Sequence, residues 1–230
     1  MAIETPKAIV FDVNETLSDL SPLSARFVEV GASASMAPLW FASVLRDGFA
    51  LTAAGENPVF AELARELLRS LLAEAQLNRG VDEAADHVMD GFARLQVHPD
   101  VVNGVHRLHE DGFRLATLSN GSTAVAERLL EDAHVRDRFD RLMSVEDAGA
   151  WKPTQRAYEH AASELDVKPA DLLLVAVHPW DVHGAARAGL QTAWVNRSDG
   201  EYPTTFAEPT YVVSGIDALA ELWDAQSPLL

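Results

Sequence analysis

The sequence predicts an α/β fold, a doubly wound parallel sheet with an inserted helical cap domain. A short apolar run, Ala8 to Phe11, ends in Asp12, as a buried parallel strand would. A long stretch with helical periodicity follows it, and from Val97 onward apolar runs alternate with helical segments. We therefore expect residues 1–18 and 96–230 to form the α/β core domain, and residues 19–95 to form the cap.

The predicted cap is entirely helical. Apolar residues recur at helical spacing in each of its four segments, 22–28, 37–54, 58–75 and 81–95. Several of these segments begin near a proline, which is typical of a first helical turn. The stretches 55–58 and 78–80 contain the glycine, asparagine and proline residues of turns.

The core domain is predicted from repeated strand-then-helix units. Strands are expected at 113–118, 141–145, 172–177, 192–196 and 211–214, and helices at 124–132, 155–165, 184–189 and 216–224. Residues 226–230 read as a tail. Because ligands bind outside the carboxyl ends of parallel strands, polar residues just after these strands are the candidates for a functional site.

Composition limits the possible partners. The chain has 230 residues, 48% of them apolar, and a net charge of −17 with no basic run, which argues against nucleic acid or an anionic membrane as a partner. It contains no cysteine, so disulfides, thiolate nucleophiles and Cys-based zinc sites are excluded. No apolar run reaches transmembrane length, and the first residues lack the features of a signal peptide. We expect a cytoplasmic location.

Asp12 is the candidate nucleophile, since it leaves the first strand at the edge of the sheet where substrates bind. A helix N-cap or a solvated loop carboxylate is the alternative role for such a residue.

Four motifs in order give a specific resemblance. They are Asp12-Val-Asn-Glu-Thr-Leu17, Leu118-Ser-Asn-Gly121, Trp151-Lys-Pro153 and Trp180-Asp-Val-His-Gly-Ala185. The chain resembles the haloacid dehalogenase superfamily, with its Rossmann-like core and helical cap, and within it the type II L-2-haloacid dehalogenase branch. The resemblance covers nearly the whole chain.

Two positions differ from the phosphatases that dominate this superfamily. Phosphatases carry a general-acid aspartate two residues after the nucleophile, where this chain has Asn14, and an amide cannot act as that acid. They also carry a magnesium-binding acidic residue where this chain has Val177. Halide leaves without a proton, and a 2-haloacid carries a single negative charge, so dehalogenation needs neither acid nor metal. We expect no cofactor.

The resemblance implies two-step nucleophilic catalysis on a small anionic substrate, a 2-haloacid. Asp12 would attack the carbon that bears the halogen, and water would hydrolyse the resulting aspartyl ester. Lys152 would keep Asp12 ionised, and Asp181 would pair with Lys152 and help to activate water. Thr16 would orient Asp12. Ser119 and nearby amides would bind the substrate carboxylate, with Asn120 lining the pocket. The resemblance also implies a homodimer.

The chain departs from that branch around the halide. The dehalogenases in question carry Trp-Arg on a cap helix, whereas the matching pair here is Trp40-Phe41. They also have Tyr at the position of Asn14 and Asn at that of His178. Our hypothesis is that His178, with Trp180 or Asn14, supplies the donors to the halide.

Plainer interpretations of the same residues remain open. Lys152 and Asp181 would make an ordinary surface ion pair, and residues 119–122 would make a turn with an N-cap. Tryptophans more often pack than contact ligands. His178 and His183 suggest a metal, but the local pattern lacks an acidic partner for them.

Two other functions suit this fold. One is a magnesium-dependent small-molecule phosphatase, which a chelator would inactivate. The other is a catalytically silent protein that binds small anions, which a ligand would stabilise without turnover.

Overall fold

The computed structural model describes residues 4–224, so the predicted tail at 226–230 lies outside the described residues. Six strands form one parallel sheet: β1 Ala8–Phe11, β2 Arg114–Ser119, β3 Phe139–Ser144, β4 Leu172–Ala176, β5 Gln191–Val195 and β6 Tyr211–Val213. Their order is β3-β2-β1-β4-β5-β6, with every neighbouring pair parallel. The predicted doubly wound α/β sheet is confirmed.

The sheet order explains where a site must lie. The chain winds outward from β1 through β2 to β3 and then returns to place β4 on the other side of β1. This reversal opens a crevice at the carboxyl ends of β1 and β4. Asp12 directly follows β1, and Asp181 lies five residues beyond the end of β4.

Both faces of the sheet are buried, as a continuous apolar strand requires. Side chains alternate along β1, so Ala8 and Val10 pack on one face while Ile9 and Phe11 pack on the other. All four are fully buried. The face with Val10 continues into the apolar interior of the helices that follow β1.

Four helices lie between β1 and the next core helix: α1 Leu23–Glu29, α2 Met36–Ala53, α3 Phe60–Leu72 and α4 Val81–Phe92. We call them the helical block. Each buries an apolar stripe, as with Phe60, Ala64, Leu68 and Leu72 on α3. The chain enters and leaves the block through two segments that hydrogen-bond to each other, from Asp19 N to Gln96 O and from His98 N to Leu17 O.

Six further helices complete the fold: α5 Val101–Glu110, α6 Thr123–Asp132, α7 Val145–Ala148, α8 Gln155–Glu164, α9 Pro179–Arg187 and α10 Ile216–Asp224. The predicted start of α9 at Gly184 is wrong, because the helix begins with Pro179 in its first turn. Asp181 is therefore a helical residue. Helices α5 and α7 were not predicted. Within residues 4–224, no helix is long and apolar enough to cross a membrane.

Candidate active site

Asp12 is held at the end of β1 by short contacts. Its backbone N–H donates to the Val175 carbonyl at 3.0 Å, which ties the residue to β4. The Thr16 hydroxyl donates to Asp12 Oδ2 at 2.6 Å and accepts the Val177 N–H at 3.1 Å. Asp12 is only 4% exposed. The orienting role expected of Thr16 thus has a matching hydrogen bond.

Lys152 joins the two aspartates. Its ammonium group lies 2.8 Å from Asp12 Oδ1 and 2.6 Å from Asp181 Oδ2. The Lys152 and Asp181 side chains are completely buried, so they are not the surface ion pair that the sequence left open. These three groups alone, one ammonium and two carboxylates, carry one net negative charge.

Tyr158 is a site residue that the sequence analysis missed. Its hydroxyl donates to Asp181 Oδ1 at 2.6 Å, and the residue is fully buried on the inner face of α8. The available signal was a polar hydroxyl among the small apolar residues Ala157, Ala161 and Ala162 on that helical face. With Lys152 on the other oxygen, both oxygens of Asp181 accept a hydrogen bond from a side chain.

Burial and the neighbouring charges shift the pKa values of Asp12 and Lys152 in opposite directions. Burial raises the pKa of Asp12, but the Lys152 ammonium and the His178 ring outweigh it, so the pKa lies well below its ordinary value. Burial lowers the pKa of Lys152, whereas Asp12 and Asp181 raise it, and the net shift is upward. Lys152 therefore stays protonated and Asp12 stays ionised, as a carboxylate nucleophile requires.

His178 lies on the other side of Asp12. Its Nδ1 is 3.4 Å from Asp12 Oδ2, and its Nε2–H donates to Glu15 Oε2 at 2.8 Å. Burial lowers the pKa of His178, but contact with the two carboxylates dominates and raises it to about 9. Both ring nitrogens face carboxylates, so neither is directed at a separate halide in this arrangement.

Two polar residues, Ser119 and Asn120, lie at the end of β2. Ser119 Oγ accepts the Gly121 N–H at 2.9 Å, which leaves its own hydroxyl hydrogen free to point elsewhere. Asn120 Oδ1 accepts the Lys152 N–H at 3.0 Å. The Asn120 Nδ2 is buried and has no hydrogen-bond partner among residues 4–224. Such an unpaired donor is unfavourable unless a ligand satisfies it.

The two predicted cap residues, Trp40 and Phe41, lie in different environments. Trp40 is fully buried inside the helical block, where its indole N–H donates to the Ala64 carbonyl at 2.8 Å and its ring packs on Phe92. The structure does not bring Trp40 to the site. Phe41, the next residue on α2, points toward His178 with 6.5 Å between ring centroids.

Two more predicted residues lie next to other residues of the site. Trp180 stacks on His178 with 5.0 Å between ring centroids, and its ring centroid is 6.0 Å from Lys152 Nζ. Asn14 is 7% exposed, and its Nδ2 lies near Gly121 on the Ser119 side of the site. Of the predicted residues, Thr16, Lys152 and His178 contact the Asp12 carboxylate directly.

Comparison with known proteins identifies the family. The model of the haloacid dehalogenase-like hydrolases matches residues 6–189. The chain belongs to this family. The resemblance that the four motifs indicated is confirmed.

Similar proteins in this family include an (S)-2-haloacid dehalogenase of Pseudomonas putida, 28% identical over 91% of this chain and 93% of that protein. A haloacetate dehalogenase, H-2, of Moraxella sp. (strain B) is 29% identical over 94% of this chain and 97% of its own length. A crystal structure of an L-2-haloacid dehalogenase superposes with a TM-score of 0.89 at 26% identity, covering 96% of this chain and 100% of that one.

A cleft of about 530 Å³ borders the hydrolase site, between the loop after β1, α1, α2 and the start of α9. Apolar side chains of the helical block line one side of it, among them Leu20, Leu23 and Phe41. Val177 and His178 line the other side. His178 thus connects the cleft with the buried carboxylate of this hydrolase.

Proposed function

We propose that this hydrolase is a metal-independent dehalogenase that converts a short 2-haloalkanoic acid to the 2-hydroxy acid through an ester on Asp12. The observation that carries the proposal is the Lys152 ammonium, 2.8 Å from Asp12 and fully buried. It holds an ionised carboxylate in a water-poor site, which is what a nucleophilic carboxylate needs.

The first step is displacement at C2. Asp12 Oδ1 is engaged by the buried Lys152, whereas Oδ2 accepts the Thr16 hydroxyl and lies on the side of His178 and the cleft. Oδ2 therefore forms the new bond to C2 from the face opposite the halogen. The carbon–halogen bond breaks, halide leaves with the bonding electrons, and the configuration at C2 is inverted.

The second step is hydrolysis of the ester. Water attacks the Asp12 carboxyl carbon, and the negative charge that develops on Oδ1 lies beside the Lys152 ammonium. A fixed cation at a developing oxyanion lowers the barrier most effectively where water is scarce. Cleavage of the Cγ–Oδ2 bond then frees the 2-hydroxy acid and restores Asp12.

Hydrogen-bond donors for the substrate carboxylate lie at the end of β2. The Ser119 hydroxyl hydrogen is not used within the loop, and the Asn120 Nδ2 is buried without a partner among residues 4–224. Donors of this kind bind an anion well because they are already desolvated and oriented. Asn14, Phe41 and Trp180 would shape the rest of the pocket.

The residues at two phosphatase positions support dehalogenation over phosphate-ester cleavage. Asn14 supplies no proton to an alkoxide leaving group. The side chain of Val177 supplies no oxygen to a magnesium ion. Halide needs neither, so these replacements do not hinder its release.

The proposal extends to the organisation of the chain. Residues 19–95 act as a cap over a core made of 1–18 and 96–230, and the protein works as a homodimer in the cytoplasm. The homodimer rests on the family resemblance, the division into cap and core rests on the sequence pattern and that resemblance, and the location is the default expectation from the sequence. Light scattering coupled to size-exclusion chromatography measures the oligomeric state directly.

Halide release tests the reaction. The purified protein is incubated with chloroacetate, fluoroacetate and each enantiomer of 2-chloropropionate in the presence of a chelator, and free halide is measured by ion chromatography. We expect release that requires Asp12 and is insensitive to the chelator. Asp12→Asn is the control, since it keeps the shape and removes the nucleophile.

Two outcomes would contradict the proposal. Absence of halide from every substrate would exclude dehalogenation of short 2-haloacids. Phosphate release from a panel of phosphate esters, present with magnesium and lost with chelator, would indicate a phosphatase instead.

A further inference from the structure

The cluster of Lys152, Asp12 and Asp181 does not show which group acts as the base for the hydrolytic step. Asp181 was expected to help activate water, but it is 0% exposed. Its Oδ2 accepts from Lys152 at 2.6 Å, and its Oδ1 accepts from Tyr158 at 2.6 Å. An aspartate enclosed in this way stabilises the Lys152 ammonium but has no open side toward a water molecule.

His178 borders the cleft, which Asp181 does not. Its side chain is 13% exposed and lines the cleft, while its buried Nδ1 lies 3.4 Å from Asp12 Oδ2 without forming a hydrogen bond to any of residues 4–224. That spacing is too short to hold water between the two atoms, so a hydrolytic water would have to reach the Asp12 carboxyl carbon beside this contact. Nδ1 is the nearest nitrogen that faces Asp12 from the cleft side.

We propose that His178 is the general base for hydrolysis of the Asp12 ester, and that Glu15 is the residue that positions it. The inference rests on the dehalogenase function proposed above. Glu15 accepts the Nε2–H of His178 at 2.8 Å, which fixes the ring and places the proton of the neutral imidazole on Nε2. Nδ1 is then the free acceptor.

The backbone at Glu15 supports this assignment. Glu15 has φ of +63°, in the left-handed region that glycine enters without steric penalty and a side-chain-bearing residue adopts unfavourably. The carbonyl of Glu15 accepts from His98 Nε2 at 3.0 Å, which holds the turn. The chain therefore retains a carboxylate at a position suited to glycine, and that carboxylate binds His178.

Esterification itself prepares the base. The charged groups that face His178 are Asp12 and Glu15, while its neighbours Phe41 and Trp180 carry no charge. Asp19, His98 and Arg197 line the same cleft. Once Asp12 is esterified it loses its negative charge, and one of the two carboxylates that raise the pKa of His178 is removed. The ring then gives up its proton to solvent more readily than in the resting enzyme.

The proton balance then closes. Water forms a bond to the carboxyl carbon of Asp12 while its proton passes to Nδ1. The tetrahedral species collapses, the bond to the substrate oxygen breaks, and the imidazolium returns its proton to the departing alkoxide. The restored Asp12 carboxylic acid, acidified by Lys152, gives its proton to His178. The net products are hydroxy acid, halide and one proton.

Accumulation of the ester is the diagnostic result. The enzyme and its His178→Ala and His178→Asn variants are mixed with excess (S)-2-chloropropionate, quenched in acid and examined by intact mass and halide yield. We expect a burst of one halide per site in the variants, with the ester on Asp12 accumulating. Its breakdown should be slowed by about a hundredfold or more, the usual worth of general-base catalysis.

Chemical rescue separates a base from a structural residue. Added imidazole should accelerate breakdown of the ester in His178→Ala, with a pH dependence that follows the imidazole. The matched control is His183→Asn. His183 lies on α9, the helix that directly follows His178, and its Nδ1 accepts the Ala207 N–H instead of facing Asp12. The control variant should show neither ester accumulation nor a response to imidazole.

Glu15→Gln gives a test that does not need a His178 variant to fold. Gln still accepts from Nε2 but carries no charge, so the pH at which ester breakdown reaches half its maximum should move to a lower value. A structural role alone would change the rate without moving that pH.

The inference is overturned if the His178 variants turn over as the parent enzyme does, or if they stop before halide is released. It is also overturned if the ester accumulates but imidazole has no effect. Absence of both halide and ester in the parent enzyme is a different result, because it removes the proposed dehalogenase function itself.

Discussion

The ammonium of Lys152 lies 2.8 Å from Oδ1 of Asp12 in a site where the two side chains are 0% and 5% exposed. At this distance and burial the charge of one group determines the state of the other. The pair keeps an aspartate ionised where burial alone would favour its protonated form. Both the activity and the stability of the protein should therefore respond when either charge is removed.

Lys152→Met should abolish most of the activity and destabilise the fold. Removing the cation leaves Asp181 buried without a counter-charge and leaves Asp12 with only the His178 ring, and breaking a buried pair costs about 3–5 kcal/mol. Halide release should fall by about 10²–10³-fold, because the developing oxyanion loses its stabilising charge. Urea unfolding and ion chromatography measure the two effects.

Lys168→Met is the matched control for this prediction, since Lys168 is exposed and lies away from the site. It should change stability by less than about 0.5 kcal/mol. Full activity in Lys152→Met would contradict the assigned role of the lysine.

Tyr158→Phe tests the hydrogen bond between Tyr158 and Asp181. The variant removes the hydroxyl that donates to Asp181 Oδ1 at 2.6 Å and keeps the ring. We expect a loss of about 1–3 kcal/mol in the free energy of unfolding, because one oxygen of a buried carboxylate loses its donor. Activity should fall less than in Lys152→Met, since Tyr158 reaches Asp12 only through Asp181 and Lys152. Equal losses of activity in Tyr158→Phe and Lys152→Met would contradict this indirect role of Tyr158.

Much of this site was predictable because its residues lie at or beyond the carboxyl ends of parallel strands. The apolar run to Phe11 placed Asp12 at the edge of the sheet, and the chain order of the motifs brought Ser119, Lys152 and Asp181 to the same edge. In parallel sheets such residues converge whatever the lengths of the connections between them.

What the sequence did not reveal depends on side-chain direction. Trp40 and Phe41 are neighbours on α2, about 100° apart around the helix, so one enters the helical block while the other faces the cleft. The contact between Glu15 and His178 joins residues 163 positions apart and depends on a left-handed turn. Neither feature follows from periodicity.

The stability of the protein should depend on pH through His178. The pKa of His178 is raised from 6.5 to about 9 in the folded state, so its contribution to stability is fully present below pH 6.5 and is lost as the pH rises toward about 9. A rise in pKa of this size corresponds to at most about 3 kcal/mol of unfolding free energy. His178→Asn should lack this contribution to stability. The difference in unfolding free energy between the parent protein and the variant should therefore shrink as the pH rises from 6.5 to about 9. A constant difference would contradict the protonated resting state of His178.

Phe41→Arg tests whether the helical block can supply a cation to the substrate. Phe41 lines the cleft and is 5% exposed, with its ring 6.5 Å from that of His178. An arginine here would add a charge-assisted donor, worth about 1.5–3 kcal/mol, beside the position of the substrate and the departing halide. We expect KM for 2-chloropropionate to fall by about tenfold and inhibition by added bromide to become stronger. Phe41→Leu is the control that removes the ring without adding charge. If both variants show the same KM and the same bromide inhibition, the side chain at position 41 does not reach the anion, and the donors after β2 must hold it alone.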